Sequence, residues 1–163
     1  MERDKERDHY FMAVALEEAL SCAAAGEVPV GAVIVRENEI LVRCGNGRER
    51  QRDATAHAEL SAIRAACSLL GGWHLTGCEL YVTLEPCPMC AGAIINARIP
   101  SVVIGTRDPK GGAFGSVINL NDFSWNHHPK VTFGIMEAEC AAVLTDFFKQ
   151  RRAAGPRWKK KQL

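Results

Sequence analysis

A chain of 163 residues, 47% hydrophobic and 24% charged, has the size and composition of one globular domain with its own core, which excludes disordered, fibrous and collagen-like chains. No apolar run approaches the roughly 18 residues that span a bilayer. The opening MERDKERDHY alternates charges instead of leading into a hydrophobic signal segment, so a cytoplasmic protein with no membrane partner is expected.

From about Tyr10 to Ala25, Met12, Leu16, Ala19, Leu20 and Ala23 fall on one helical stripe, and Gly26 stands where helices commonly stop. Val30 to Val35 and Ile40 to Arg43 are short apolar, β-branched runs around Glu37-Asn38-Glu39, the pattern of an antiparallel hairpin. A polar loop carrying Asn46 leads to Thr55, which is placed to cap a helix running through His57, Glu59, Ile63 and Ala66 toward Leu70, with Gly71-Gly72 ending it. Leu80 to Leu84 reads as a buried strand. Pro86 and Pro88 then flank Cys87 at the start of a helix continued by Cys90, Ile94 and Ile95, since proline is well tolerated in a first helical turn.

Val102 to Gly105 is another strand, Thr106 to Ser116 a glycine-rich loop, Val131 to Gly134 a strand and Glu137 to about Arg152 a closing amphipathic helix. The order α-β-β-α-β-α-β-β-α, with helices between strands, predicts an α/β fold: a three-layer α/β/α sandwich around a mixed five-stranded sheet. The net charge of +1 conceals a basic end, because Lys149, Arg151, Arg152, Arg157, Lys159, Lys160 and Lys161 crowd it and no acid follows Asp146. That end suits a polyanion such as nucleic acid, and it is equally the composition of a solvated, frayed terminus. One domain over residues 1–155 and a basic tail over 156–163 are expected.

Of the seven cysteines, Cys22, Cys44, Cys67, Cys78 and Cys140 lie scattered among apolar neighbours as reduced, buried thiols do, and only Cys87 and Cys90 form a spaced pair. Three residues apart on a helix, they share a face and converge as thiolates where the helix N-terminus favours negative charge. His57-Ala58-Glu59 occupies another first helical turn. An S₂N ligand set of His57, Cys87 and Cys90 favours Zn2+ and leaves the fourth position to a catalytic water, whose pKa zinc lowers to around 7. Glu59, two residues after His57, is near that water without having to be a ligand. It is positioned to act as base and then as acid. His-x-Glu with Pro-Cys-x-x-Cys is the known signature of the zinc nucleobase deaminases, and the roles given to these residues are the ones established for that class.

The chain resembles the bacterial tRNA-specific adenosine deaminases of the cytidine-deaminase-like superfamily. The resemblance runs from about Tyr10 to Arg152 through EVPVGAVIV, TAHAEL, LYVTLEPCPMCAGAII, GTRDPKGGAFGS, WNHHP and AECAAVLTDFFKQRR. It implies a homodimer that converts adenosine to inosine at the wobble position of a tRNA anticodon stem-loop. By position, Asn46 is implied to hydrogen-bond the flipped-out purine, and Val30 with Leu84 to line the base pocket. Asp108 and Lys110 match a loop meeting nucleotides beside the target, and Phe148 with Arg152 the substrate-facing end of the last helix. A base in a single-stranded loop is already exposed, and RNA loops are commonly read by splaying bases onto aromatic and basic side chains. One departure is Gly45, where many relatives place a bulkier residue that would form part of the pocket wall.

Other readings share some of these residues. Cys-x-x-Cys is also a redox spacing, although thioredoxin-like motifs lack the accompanying His-x-Glu. A deaminase of free guanine or cytosine keeps the same zinc signature, against which stand the DPKGG loop, the DFFKQRR ending and the basic tail. A catalytically silent zinc protein that binds RNA has no need of Glu59. Trp73, Trp125 and Trp158 suit either base stacking or covering the core edge, and His74, His127 and His128 read as polar loop residues.

Overall fold

The computed structural model describes residues 4–155. Helix α1, Lys5–Ala24, begins before the apolar stripe does, because the Asp4 carboxylate accepts from the Arg7 backbone N–H at 3.1 Å and Glu6 and Asp8 favour the positive helix end. From Lys5 onward the opening charged run is thus helical and docked. Arg7 reaches Asn38 Oδ1 at 2.6 Å and the Tyr81 hydroxyl at 2.8 Å, and that hydroxyl donates to the buried Asp8 carboxylate at 2.7 Å. The stripe itself is corrected. The buried face is Asp8, Phe11, Met12, Val14, Ala15, Ala19 and Cys22, whereas Leu20 is 52% exposed.

Strands β1, Gly31–Arg36, and β2, Glu39–Gly45, form the expected hairpin. Its two-residue turn puts both Glu37 (φ 51°) and Asn38 (φ 66°) in the left-handed region, whose twist matches that of paired strands. Gly31 lets α1 lie against the sheet, since a Cβ there would collide with the Ala15 carbonyl. A short helix α2, Arg48–Gln51, follows, and then α3, Ala58–Leu70, closed by Gly71 at φ 72°. Thr55 does not cap α3. His57 holds the cap position, while Thr55 bonds through its N–H (2.8 Å) and hydroxyl (2.7 Å) to Asp53.

The rest runs β3 (Cys78–Leu84), α4 (Pro88–Asn96), β4 (Ser101–Thr106), a 3-10 turn (Leu120–Asp122), β5 (Lys130–Phe133) and α5 (Glu137–Ala153). The sheet order is β2-β1-β3-β4-β5, antiparallel among the first three and parallel from β3 to β5. Alternation along the strands builds two cores. Ala32, Ile34, Leu80, Val82, Val102 and Ile104 meet α3 and α4 on one face, and Val33, Val35, Tyr81 and Val103 meet α1 and Cys140 of α5 on the other. This is the expected three-layer sandwich with a mixed five-stranded sheet.

As the element order expects, no α-helix separates β4 from β5; the two are nonetheless parallel, joined by residues 107–129, which hold the 3-10 turn and an isolated bridge between Phe114 and Asn119. That crossover leaves the sheet where β3 and β4 end, at Leu84 and Thr106. Because β1 runs antiparallel to β3, Val30 before β1 and Asn46 after β2 sit at the same edge. The carboxyl ends of parallel strands are where open α/β sheets leave a crevice.

Candidate active site

His57 and Cys87 each occupy an N-cap, with extended backbone (φ −75°, ψ 151° and φ −72°, ψ 171°) that turns the side chain off the helix end. Cys90 lies one turn into α4, buried, with Pro88 in the first turn where its missing N–H is not needed. His57 is therefore one residue outside the helical turn that the sequence suggested. Its Nδ1 is 3.5 Å from both Cys87 Sγ and Cys90 Sγ, and the three ligand atoms lie within 4.8 Å of one another. Zinc bonds of about 2.3 Å to sulfur and about 2.05 Å to nitrogen, set tetrahedrally, place N and S about 3.6 Å apart. The residues present fit zinc.

The two thiols divide one proton between them. A hydrogen bond from Cys90, reinforced by His57, pulls the Cys87 thiol down to about 4. The same hydrogen bond, to Cys87, pushes the Cys90 thiol upward, and burial adds to it. Two adjacent thiolates repel, so a divalent cation is what allows both to ionise.

Glu59 follows in the first turn of α3, 4% exposed, its carboxyl raised to about 7, above all by burial and further by the neighbouring Cys87. A carboxyl with that value takes and returns a proton near neutral pH.

Above these groups opens a cleft of about 770 Å³. His57, Glu59 and Cys87 line it, together with Val30, Asn46, Leu84, Asp108, Lys110, Phe148 and Arg152, so the residues singled out in the sequence converge; Cys90 lies behind the wall. Asn46 is buried and held by backbone: Nδ2 donates to Val28 O at 3.1 Å and Oδ1 accepts from Arg48 N at 3.4 Å. Each of those atoms retains one further hydrogen-bonding position. Val30 is buried, Leu84 half-buried, and Phe148 is 39% exposed on α5. Asp108 Oδ1 already accepts from Lys110 N (3.0 Å) and Gly111 N (3.2 Å), which makes it a turn former as well as a cleft residue.

Gly45 proves not to be a gap in the cleft wall. A Cβ there would strike Cys22 Sγ on α1, so position 45 faces the helix. Trp73 and Trp125 are exposed and do not line the cleft, and Trp158 with the basic residues beyond Gly155 lies outside the described residues. His127 and His128 bond to backbone oxygens of Ile99 (2.7 Å) and Phe123 (2.8 Å).

Sequence reasoning misses Arg48 and Arg107, which join Lys110, Arg152 and Arg151 of the basic end around the cleft, and two buried acids, Glu27 and Glu85. Glu27 accepts from the N–H groups of Glu49 (3.2 Å) and Arg50 (2.6 Å), which fixes α2 and with it Arg48. Glu85 gathers the loop after β4 and is held below the ordinary glutamate value; its burial opposes this, and hydrogen bonds from Ser116, Asp108 and Phe114 outweigh it. An acid wedged between an apolar strand end and a proline is the signal that could have found it.

Residues 5–106 match the family model described as the cytidine and deoxycytidylate deaminase zinc-binding region. The chain is 46% identical over 147 residues to the tRNA-specific adenosine deaminase of Bacillus subtilis (strain 168), covering 90% of this chain and 91% of that one. A solved structure from studies of A-to-I editing by tRNA:A34 deaminases at the wobble position of transfer RNA is similar at a TM-score of 0.81 and 46% identity, over 83% of this chain and 99% of that one. The guanine deaminase from Nitrosomonas europaea shares the fold, at a TM-score of 0.75 and 24% identity over 85% of this chain and 83% of that one. With its ligand triad, buried glutamate and cleft arranged as described, the chain belongs to the zinc-binding cytidine and deoxycytidylate deaminase family and, within it, to the tRNA-specific adenosine deaminases.

Proposed function

We propose that this protein is a zinc-dependent hydrolase that deaminates adenosine to inosine at the wobble position of a tRNA anticodon, releasing ammonia. The observation that carries the reading is the convergence of His57, Cys87, Cys90 and Glu59 at the base of a cleft ringed by Arg48, Arg107, Lys110, Arg151 and Arg152. His57 Nδ1 and the two thiolates would hold the metal. Bound there, zinc would supply a water acidic enough to attack at neutral pH.

Glu59 takes a proton from the attacking water on a carboxylate oxygen and passes it to the purine ring nitrogen beside the amine-bearing carbon. It then carries the second proton to the departing amine, so that adenosine and water become inosine and ammonia. Asn46 orients the base through the hydrogen-bonding positions its backbone contacts leave open, between the apolar walls of Val30 and Leu84. Asp108 and Lys110 meet the flanking nucleotides. Phe148 offers a ring for stacking, and Arg152 a guanidinium for phosphate. The protein works in the cytoplasm as a homodimer, as one deaminase domain over residues 1–155 with a basic tail over 156–163; among the described residues no helix is long and apolar enough to cross a membrane.

Ammonia release from an anticodon stem-loop, compared with that from free adenine, guanine and cytosine, tests the substrate. Turnover of the stem-loop alone is expected. Turnover of a free base with an inert stem-loop would replace this reading by that of a free-base deaminase.

A further inference from the structure

We propose that Glu85 is a positioning residue for substrate: its buried carboxylate gathers the loop after β4 onto the segment that delivers Cys87, and so sets where Asp108 and Lys110 stand over the cleft. The inference rests on the deaminase reading for what the loop contacts, and on geometry alone for what Glu85 does.

Glu85 extends the parallel pairing of β3 with β4, its N–H donating to Thr106 O at 2.9 Å, and its side chain turns into the loop, 2% exposed. Oε1 accepts from Phe114 N and Ser116 N, both at 3.1 Å. Oε2 accepts from Asp108 N at 2.9 Å and from the Ser116 hydroxyl. Around this centre the loop closes on itself and on the Cys87 segment: Gly112 N donates to Asp108 O and Ala113 N to Pro86 O, each at 2.9 Å. Gly112 packs directly over the carboxylate, where a Cβ would overlap Glu85. The loop thus wraps an acid lying two residues before a zinc ligand.

The chemistry of the acceptor is specific. All the partners donate, and a carboxylate is the side chain that only accepts. A glutamine has the same shape but must turn its NH₂ toward one side. The Ser116 hydroxyl can reverse to accept from it; the Asp108 backbone N–H cannot. The better orientation therefore keeps Phe114 and Ser116 bonded and abandons Asp108, the residue whose side chain forms the turn carrying Lys110. Losing a hydrogen bond at a buried charge is felt as about tenfold or more in an equilibrium.

The test compares zinc-loaded wild-type protein with Glu85→Gln, Glu85→Asp and Ser116→Ala, by residue-resolved amide exchange and by kinetics on an anticodon stem-loop. In Glu85→Gln, zinc content stays at the wild-type level. The Asp108 amide exchanges about tenfold faster, while those of Phe114 and Ser116 stay within about threefold. KM rises about tenfold with kcat within about threefold, because Glu59 and the ligands are untouched. Glu85→Asp, shorter but still accepting only, recovers part of the KM.

Should Glu85→Gln not fold, Ser116→Ala reads the same oxygen from the loop side, and a smaller rise in both Asp108 exchange and KM is expected. An unchanged Asp108 amide, uniform loosening of the whole chain, or a fall in kcat at constant KM overturns the proposal. A wild-type protein inert on the stem-loop defeats the substrate reading instead, and the exchange pattern then decides the role of Glu85 by itself.

Discussion

Two buried glutamates face the same cleft and behave in opposite ways. Glu59, in the first turn of α3, is raised to about 7, whereas Glu85, at the end of β3, is held below its ordinary value. Burial opposes ionisation in both. The difference lies in how far donors offset it: Glu85 is met by three backbone N–H groups and a hydroxyl, whereas at Glu59 the hydrogen bonds from its own backbone N–H and from Cys90 fall short of burial, which the charge on Cys87 reinforces. The first arrangement makes a fixed anion that organises a loop, and the second a carboxyl free to exchange its proton. Position in a cleft does not assign a carboxylate its task; its hydrogen-bond partners do.

Breaking the metal side of this pair has the largest expected effect. Cys90→Ala removes a buried ligand, and zinc content by metal analysis is expected to collapse, with inosine formation abolished. Since metal binds only the folded chain, Tm is expected to drop by on the order of 10 °C. Glu59→Ala comes next: zinc and Tm stay near wild type while kcat falls about 10²- to 10⁴-fold, the usual worth of a general acid and base. Activity like that of wild type in this variant would remove Glu59 from the mechanism.

On the loop side, Gly112→Ala forces a methyl group against the Glu85 carboxylate. Denaturant unfolding is expected to show a loss of about 1–3 kcal/mol with zinc retained, as for other overpacked sites. An unchanged midpoint would mean that the loop is not tied to Glu85. The smallest effect is that of Lys110→Ala. Stem-loop binding is expected to weaken, and the slope of log affinity against log salt to shrink by about 0.7, one phosphate contact on a single strand.

What is legible in the sequence follows from locality. Cys87 and Cys90 announce themselves by spacing, and His57 with Glu59 by the match of two helix starts, so the metal site can be drawn before the fold. The sandwich follows from apolar periodicity, which strands and long helices share. Periodicity starts helix α1 too late because its first turn is stabilised by the Asp4 cap and by long-range bonds from Arg7, none of which is apolar. It also draws Leu20 into the stripe, because a hydrophobic residue at helical spacing carries no mark of which face meets the sheet.

Glu85 and Glu27 escape for the opposite reason. An acid near a turn reads as solvated, and only tertiary structure shows that loop N–H groups have replaced the water. The pairing of Glu85 with Gly112, and of Cys22 with Gly45, joins residues far apart in the chain.

Inosine mapping at single-nucleotide resolution on total transfer RNA, incubated with the purified protein and in parallel with Glu59→Ala, tests the central claim most directly. Inosine confined to an anticodon wobble position with the wild-type protein, and none with the variant at equal zinc content, is the expected result. Transfer RNA left unmodified by zinc-loaded wild-type protein, or modified equally by both, would contradict it.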